Sequence, residues 1–505
     1  MEARASKLRR LEQYRRMVPH VSASALSAIL KSCQDAPPLW LRKDIRAARD
    51  ATVNEVTPYG PVLSTNSILL SAIDGSAPIP VPIANPFAFL YVAFRDCVAF
   101  RQLVMDTARK HPPSVDNPWH IVLYSDEVTP GNDLSYDNRR KNWVLYYSFL
   151  EFGSAILSRD EAWICVCSKR SSEVTRAVGG IAQVFRRIMR LFFNTEGHSF
   201  DLSGISLVSD GPALRLYATM GPIVQDGGAH KLVFCIKGDS GTRLCMLCLN
   251  AFARESRMLN EETGETILRC DLMLERELHF ATNNDVRGCV RRLAAAMLTD
   301  PPGAFKIREQ AYGFNHCEQN MLLDPELDRV LNPVSAYMHD WCHCLLVHGV
   351  FNTTTYLLLG ALVAYGARDA WSQFQQYVAM WTWPASFKTS TRHLASTFES
   401  KRARSSIKAK HVKCSASDGL SLFPVMSALL QFVFIPAGVC AEECKAFVLL
   451  AGILELIGAV PQGGGIVTPD MLRDSIDEFL RQCQRCGWTE YMQIPLVGSH
   501  ATAFA

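Results

Sequence analysis

The chain has 505 residues, 48% of them hydrophobic and 20% charged, with a mean hydropathy of +0.04. That composition excludes a disordered or fibrous chain and allows two to four domains, or one core with large insertions. A net charge of +3 is too mild to argue for nucleic acid, so any such case rests on where the basic residues sit.

In chain order, residues 1–50 are rich in Arg and Lys and read as a basic helical segment. No apolar signal region follows MEARASKLRRLEQYRR, so the 17 cysteines read as reduced thiols, core fillers or metal ligands rather than disulfides. Residues 51–117 read as a linker and a helix leading into the core. The turn-rich part, 51–86, includes the run Pro78-Ile-Pro-Val-Pro-Ile, and Ala84–Arg109 has helical apolar spacing. Three strands are expected next, at His120–Asp126, Asn142–Glu151 and Glu161–Cys167, then a helix over Ser172–Phe193 with interleaved arginines. Arg215–Asp226 reads as a further strand running into a carboxylate and a Gly-Gly turn. Residues 251–395 are expected to be a mainly helical insertion, 396–460 a basic loop with core-completing helices, and 461–505 a C-terminal tail. The apolar stretches Cys344–Gly366 and Leu420–Val439 are interrupted by polar residues and are expected as buried helices of a soluble protein, not membrane spans. Gly463–Gly465 is a flexible turn without the Lys-Ser/Thr of a phosphate loop.

Three features could carry chemistry. Asp126, at a strand exit beside a Pro-Gly turn, could hold a divalent cation; a turn-capping aspartate would look the same. Cys245-Met-Leu-Cys248 forms half of a tetrahedral zinc site, and His339-Asp-Trp-Cys-His343-Cys-Leu-Leu-Val-His348 could supply the rest. Read as one helix, that segment puts His339 and His343 on a shared face. Cys483-Gln-Arg-Cys486 could be an accidental pair. Arg402, Arg404, Lys408, Lys410 and Lys413 could grip phosphates, act as a nuclear import signal, or be a solvated loop.

Tyr124-Ser-Asp126-Glu, Val224-Gln-Asp226-Gly-Gly-Ala, Cys245-Met-Leu-Cys248, and Asp340-Trp-Cys-His343 leading to Val347-His-Gly-Val-Phe resemble, in order, the motifs of Plavaka-type transposases. These are cut-and-paste DDE elements comparable in layout to the Kyakuja–Dileera–Zisupton group. Transposase-like proteins of dinoflagellates share the style of Asp126-Glu-Val-Thr-Pro-Gly-Asn and of Ser415-Ala-Ser-Asp418-Gly-Leu-Ser-Leu-Phe-Pro-Val. The resemblance spans roughly residues 118–430; each motif is short, and their order carries the weight.

The resemblance implies an α/β fold: an RNase H-like core, a mixed sheet with flanking helices, interrupted by a large mostly helical insertion. The first part of that core, with the Cys clip, would be 118–250. By motif position the catalytic acids are Asp126, Asp226 and Asp418, binding two Mg2+ or Mn2+ ions, with Asp standing at the third place where the family has Glu. Asp210 and Asp239 compete for the second place. Cys245 and Cys248 would form a structural zinc clip with His343 as third ligand. DNA would be the partner, a homo-oligomer is compatible, and the location would be nuclear. Two rival readings stay open: a catalytically inactive, domesticated DNA-binding or scaffold protein with zinc, and an unrelated soluble α/β protein.

Overall fold

Ile121-Val-Leu is apolar on both faces of a strand, and it becomes the buried middle of the protein's main sheet. The structure is a computed structural model and describes residues 55–129, 140–209, 211, 213–252, 276, 278–347, 349–384, 392–460 and 467–488. The basic segment 1–50, His348, Asp210 and Gly463–Gly465 lie outside the described residues.

The chain divides into two units, Met1–Leu63 and Ser64–Ala505. The described part of the first is an antiparallel ribbon of β1 (Val56–Thr57) and β2 (Gly60–Pro61). Its turn needs the positive φ of Gly60, 94°.

The second unit is mixed α/β. Its sheet strands are β3 (Leu63–Leu70), β4 (Ile79–Ala84), β5 (Trp119–Val128), β6 (Asn142–Phe149), β7 (Ile164–Arg170), then β10 (Ala218–Gln225) and β11 (Tyr337–His339), with β8 (Ile205–Val208) and β9 (Ala213–Leu216) forming a separate hairpin. The order across the sheet is β11-β10-β5-β6-β7-β4-β3. β5, β6 and β7 are antiparallel neighbours, whereas β10 and then β11 add on the other side of β5 in parallel. Two helices, α1 (Pro86–Asp96) and α2 (Val98–Lys110), precede β5.

Helix α3 (Ile181–Phe192) follows β7 and covers the sheet with Ile181, Val184, Phe185, Ile188 and Phe192. Phe192 meets Tyr147 of β6 at 5.2 Å between ring centroids. Its polar side carries Arg186 and Arg190, which clamp the wholly buried Asp324 ahead of β11. Further on, α5 (Asn283–Thr299) and α6 (Pro302–Tyr312) follow a seven-residue helix, α4 (Gly227–Val233). Beyond β11 the chain is helical: α7 (Trp341–Leu345), α8 (Val350–Tyr365), α9 (Ala370–Met380), α10 (Ser400–Ala409), α11 (Ala416–Leu429), α12 (Ala441–Ala459) and α13 (Pro469–Arg485). These helices share a core that includes Leu358, Phe374, Met426, Phe447 and Leu450.

Several expectations change. The 51–86 linker is largely sheet: β4 is the Pro-rich run itself, with Ile79, Val81 and Ile83 buried and Pro80 and Pro82 exposed. Its recorded bridge to β7 is Ile83↔Cys167, as befits a strand whose prolines lack N–H donors. The single helix over Ala84–Arg109 breaks at Cys97, whose backbone is extended. Arg215–Asp226 is not one strand, because Arg215 and Leu216 belong to the β8–β9 hairpin. The helical insertion 251–395 contains β11, a strand of the main sheet. The basic loop is helix α10 in its first part, and the tail 461–505 contains α13.

Two stretches, Trp341–Tyr365 and Ala416–Phe434, are long and apolar enough to cross a membrane, with mean hydropathies of 1.4 and 1.3. Core helices meet the same test, and these two supply Leu358, Leu359, Leu422 and Met426 to the helical core.

Asp324 gives the fold a measurable anchor. Burial alone would raise its carboxyl, but hydrogen bonds from Arg190 and Arg186 outweigh that and hold it below the usual 3.8. Removing it strands two partly buried guanidiniums, so Asp324→Ala is expected to cost about 3 kcal/mol in urea unfolding. A cost under about 1 kcal/mol, the range of a surface pair, would contradict the assignment.

Candidate functional site

The parallel pairing of β5 and β10 relates two of the acids. The parallel pairing ends with Ile223↔Leu123 and Val224↔Tyr124, and each chain then reaches an aspartate two residues on, Asp226 and Asp126. Between pair and aspartate, the Gln225 amide donates to the buried Ser125 hydroxyl. Neighbouring parallel strands lie about 4.8 Å apart, and residues in register share a face. Asp126 lies within β5, opposite Val144 of β6, whereas Asp226 is the first residue past the end of β10.

A one-residue bulge creates that register. Before it Met220 pairs with Ile121; after it Ile223 pairs with Leu123. Without the extra residue Ile223, not Val224, would pair with Tyr124. The bulge sequence is Gly221-Pro222. A Cβ on Gly221 would sit 3.0 Å from both the His120 Cβ and the Ile121 carbonyl oxygen, tighter than an ordinary contact, so glycine eases the approach of the strands.

β11 extends the pattern. Gln225 pairs with His339, the last pair of β10 and β11, and an aspartate follows each strand, Asp226 and Asp340. Asp340 and Asp126 both face the Tyr124 phenol. Burial first, then these two carboxylates, push its hydroxyl up to about 12. Sequence reasoning placed Asp340 inside a helical segment and did not rank it among the acids; the signal for it was the short run Tyr337-Met-His before an N-capping aspartate.

The carboxylates already have partners. Asp126 accepts from the Glu127 amide at 2.7 Å and from the Tyr124 hydroxyl at 3.2 Å. Asp226 caps α4, accepting from the Ala229 amide. Asp340 caps α7 and accepts from His343 Nδ1 at 2.7 Å. Asp418 belongs to the helical layer, not the sheet. It closes a capping box with Ser415 at the start of α11 and takes His393 Nε2 at 2.9 Å. Asp126 is on β5 and Asp226 directly follows the neighbouring strand β10, whereas Asp418 is on helix α11. Asp239 falls in the helical turn Gly238–Ser240.

The Cys pair is a preformed knuckle. The Leu247 amide donates to Cys245 Sγ at 3.3 Å, and buried Arg243 donates to the carbonyls of Cys245, Met246 and Cys248. Its neighbours are not those expected. His343 is exposed and bonded to Asp340, whereas His339 faces both Cys245 and Cys344. His339 is the last residue of β11 and the helix begins only at Trp341, so the expected shared face with His343 does not form. Burial pushes the His339 imidazole down, but the Cys245 and Cys344 thiols outweigh it and hold it at about 9. Contact with Cys248 draws the Cys245 thiol well below its ordinary value. His339 Nε2 is wholly buried without a hydrogen bond of ordinary geometry. Among the described residues, no three His, Cys, Asp or Glu side chains stand at metal-holding distance as placed.

The basic run is exposed throughout. Arg402, Arg404 and Lys408 project from α10, whose Ala403 and Ser406 face inward. Lys410 ends the helix in a left-handed conformation, and Lys413 follows.

No protein-family model matches this chain, and no curated protein matches it.

One buried histidine fastens β11 beside the acids. His230, on α4, donates through Nε2 to the Met338 carbonyl at 2.7 Å and lies 4.3 Å from the Tyr337 ring. Burial pushes its imidazole down to about 4. Between pH 6.5 and 4 the unfolded chain binds the proton that the folded chain refuses, so stability is present above 6.5 and lost as pH falls. The loss over that window is expected to be about 3 kcal/mol. Urea unfolding at pH 7 and pH 5 should show the slope in the native chain and a shallower one in His230→Gln; equal slopes would refute the role.

Proposed function

We propose that this chain is a nuclease of transposase descent, with an RNase H-like core and divalent-cation-dependent action on DNA phosphodiesters. The observation that supports the reading is the parallel pairing of β10 with β5, in which Val224 pairs with Tyr124 and each stands two residues ahead of an aspartate. The surrounding pattern supports it as well: three consecutive antiparallel strands, a helix, then a parallel strand running into an acid. In this reading the helical layer beyond β11 is the insertion, and Asp418, at the start of α11, is the third acid.

The donor chemistry fits magnesium or manganese. Hard cations take carboxylate oxygens, and two aspartates with water and phosphate suffice. Bound there, the ions would activate a water or hydroxyl nucleophile and stabilise the departing oxygen. The chain's own residues position charge: Tyr124 steadies Asp126 through its hydroxyl, and the α4 amide orients Asp226. Arg402, Arg404, Lys408, Lys410 and Lys413 supply sequence-independent phosphate contacts that orient the duplex without reading it.

A second reading keeps the fold and the DNA but not the catalysis. The engagement of Asp226 as a helix cap and of Asp418 by His393 favours it, because both carboxylates are committed to structural bonds. Nicking of supercoiled plasmid with Mn2+ separates the two. The native chain is expected to nick, and Asp126→Ala and Asp226→Asn are each expected to lose at least about 100-fold, since metal-positioning groups act as a unit. Activity equal in all three proteins would refute the catalytic assignment.

In the same proposal Cys245, Cys248, His339 and Cys344 hold a structural zinc ion that pins β11 and α7 to the Cys knuckle. Three thiolates and an imidazole are a common closed, tetrahedral set. Zinc content is expected to fall in His339→Ala and to stay unchanged in His343→Ala. Loss in His343→Ala alone would restore the ligand expected from sequence.

A further inference from the structure

Cys235 stands just past the C-terminal end of α4 with left-handed backbone, φ 57°. The Ile236 amide bonds back to the Lys231 carbonyl at 3.0 Å, a helix closure that usually has glycine at this place. A cysteine there is strained and persists only where its surroundings hold it. What holds it is the stretch after α6. Ile236 bridges Phe314, the Cys235 carbonyl takes the Asn315 amide at 2.7 Å, and Asn320 Nδ2 donates to the Phe234 carbonyl at 3.2 Å. The same stretch carries Cys317, and the Cys235 thiol donates to the Cys317 sulfur. The other bond of Cys235 Sγ, to the Leu232 carbonyl at 3.7 Å, is a weak one. Cys317 is half-buried, and its sulfur also accepts from the backbone amides of Gln319 and Asn320. Gly179 leaves the sulfur its space: a Cβ there would lie 2.6 Å from Cys317 Sγ.

We propose that Cys317 and Cys235 are a hydroperoxide-reactive pair, in which Cys317 is the attacking sulfur and Cys235 the resolving one. The pair is separate from the nuclease reading and does not depend on it.

Cysteine as a small core residue accounts for the burial of Cys235. It does not account for a cysteine at a left-handed cap, nor for three donors gathered on one half-buried sulfur. Redox-sensitive cysteines combine thiolate character, access and a neighbouring thiol. The bond from Cys235, then the two amides, outweigh burial and the Glu318 carboxylate and draw the Cys317 thiol down to about 7. The same bond, with burial, pushes the Cys235 thiol well up, so Cys317 is the one that ionises. In the first step the Cys317 thiolate attacks a hydroperoxide oxygen. An S–O bond forms, the O–O bond breaks, and the departing oxygen takes up the proton that Cys317 gave up on ionising. In the second step Cys235 loses its proton and its sulfur attacks Cys317. The S–S bond forms, the S–O bond breaks, and hydroxide leaves with that proton as water. Two electrons pass from the thiols to the peroxide, and a dithiol returns them by exchange. The disulfide would fasten the end of the helix that Asp226 opens to the stretch leading to Asp324.

The test uses the full chain, reduced and folded, treated with equimolar hydrogen peroxide, then alkylated with N-ethylmaleimide and digested for peptide mass spectrometry. The native chain is expected to lose two free thiols and to yield a peptide pair linking Cys235 to Cys317, which dithiothreitol separates. Cys235→Ser, shown folded by far-UV circular dichroism, removes the resolving sulfur. Dimedone present with the peroxide is expected to label Cys317 in that variant and not in the native chain. A native chain in which both cysteines are alkylated after peroxide overturns the proposal, as does Cys317 linked to any other cysteine. So does a folded Cys235→Ser chain whose Cys317 takes no dimedone. The native peptide map keeps both thiols in place, so it decides the matter even if the variant fails to fold.

Discussion

The close approach of β10 to β5 at Gly221 is the constraint on which the candidate site depends. A Cβ there would lie 3.0 Å from His120 and from the backbone of Ile121, tighter than an ordinary contact. The glycine eases the approach, and the bulge it shares with Pro222 advances β10 by one residue. Because strand side chains alternate between faces, that one residue decides which β10 side chains share a face with those of β5. Every later element inherits the choice. β11 takes its register from β10, Asp340 from β11, and α4 and α7 start from the aspartates that end those strands.

In the proposed reading, capping and cation binding compete for the same groups. An aspartate that ends a strand and opens a helix is a good N-cap, and Asp226 and Asp340 serve as caps. The arrangement holds the carboxylates in fixed orientations at a sheet edge, which is the preorganisation that cation binding needs. It also gives each a structural reason to be there. Under the proposed nuclease reading, the distinction between an active and an inactive chain turns on oxygen atoms left free by the caps, not on the fold.

Much of the sheet was legible in the sequence because β5, β6 and β7 are long, apolar and β-branched, and α3 announces itself by apolar spacing against arginines. β4 was not, because prolines read as linker; its alternation of buried Ile and Val with exposed Pro was the overlooked signal. β11 has three residues, Tyr337-Met-His339, and no local pattern could mark it as strand. Pairing with β10 makes it one, a tertiary effect. That omission carried over to the site: once His339 was assigned to a helix, His343 became its natural partner and Asp340 an ordinary helix residue. Asp126 and Asp226 stood out in the sequence because each ends an apolar run. Asp418 was legible as an acid, but its Ser-x-x-Asp setting is equally a capping box, which is how the structure uses it.

The central claim is that Asp126 and Asp226 share one cation site. A crystal of the chain soaked in Mn2+ tests it directly through anomalous scattering. A peak shared by the two carboxylates, and absent from a crystal of Asp226→Asn, is the predicted result. Manganese bound elsewhere, or a peak at Asp126 that persists when Asp226 loses its charge, would contradict it.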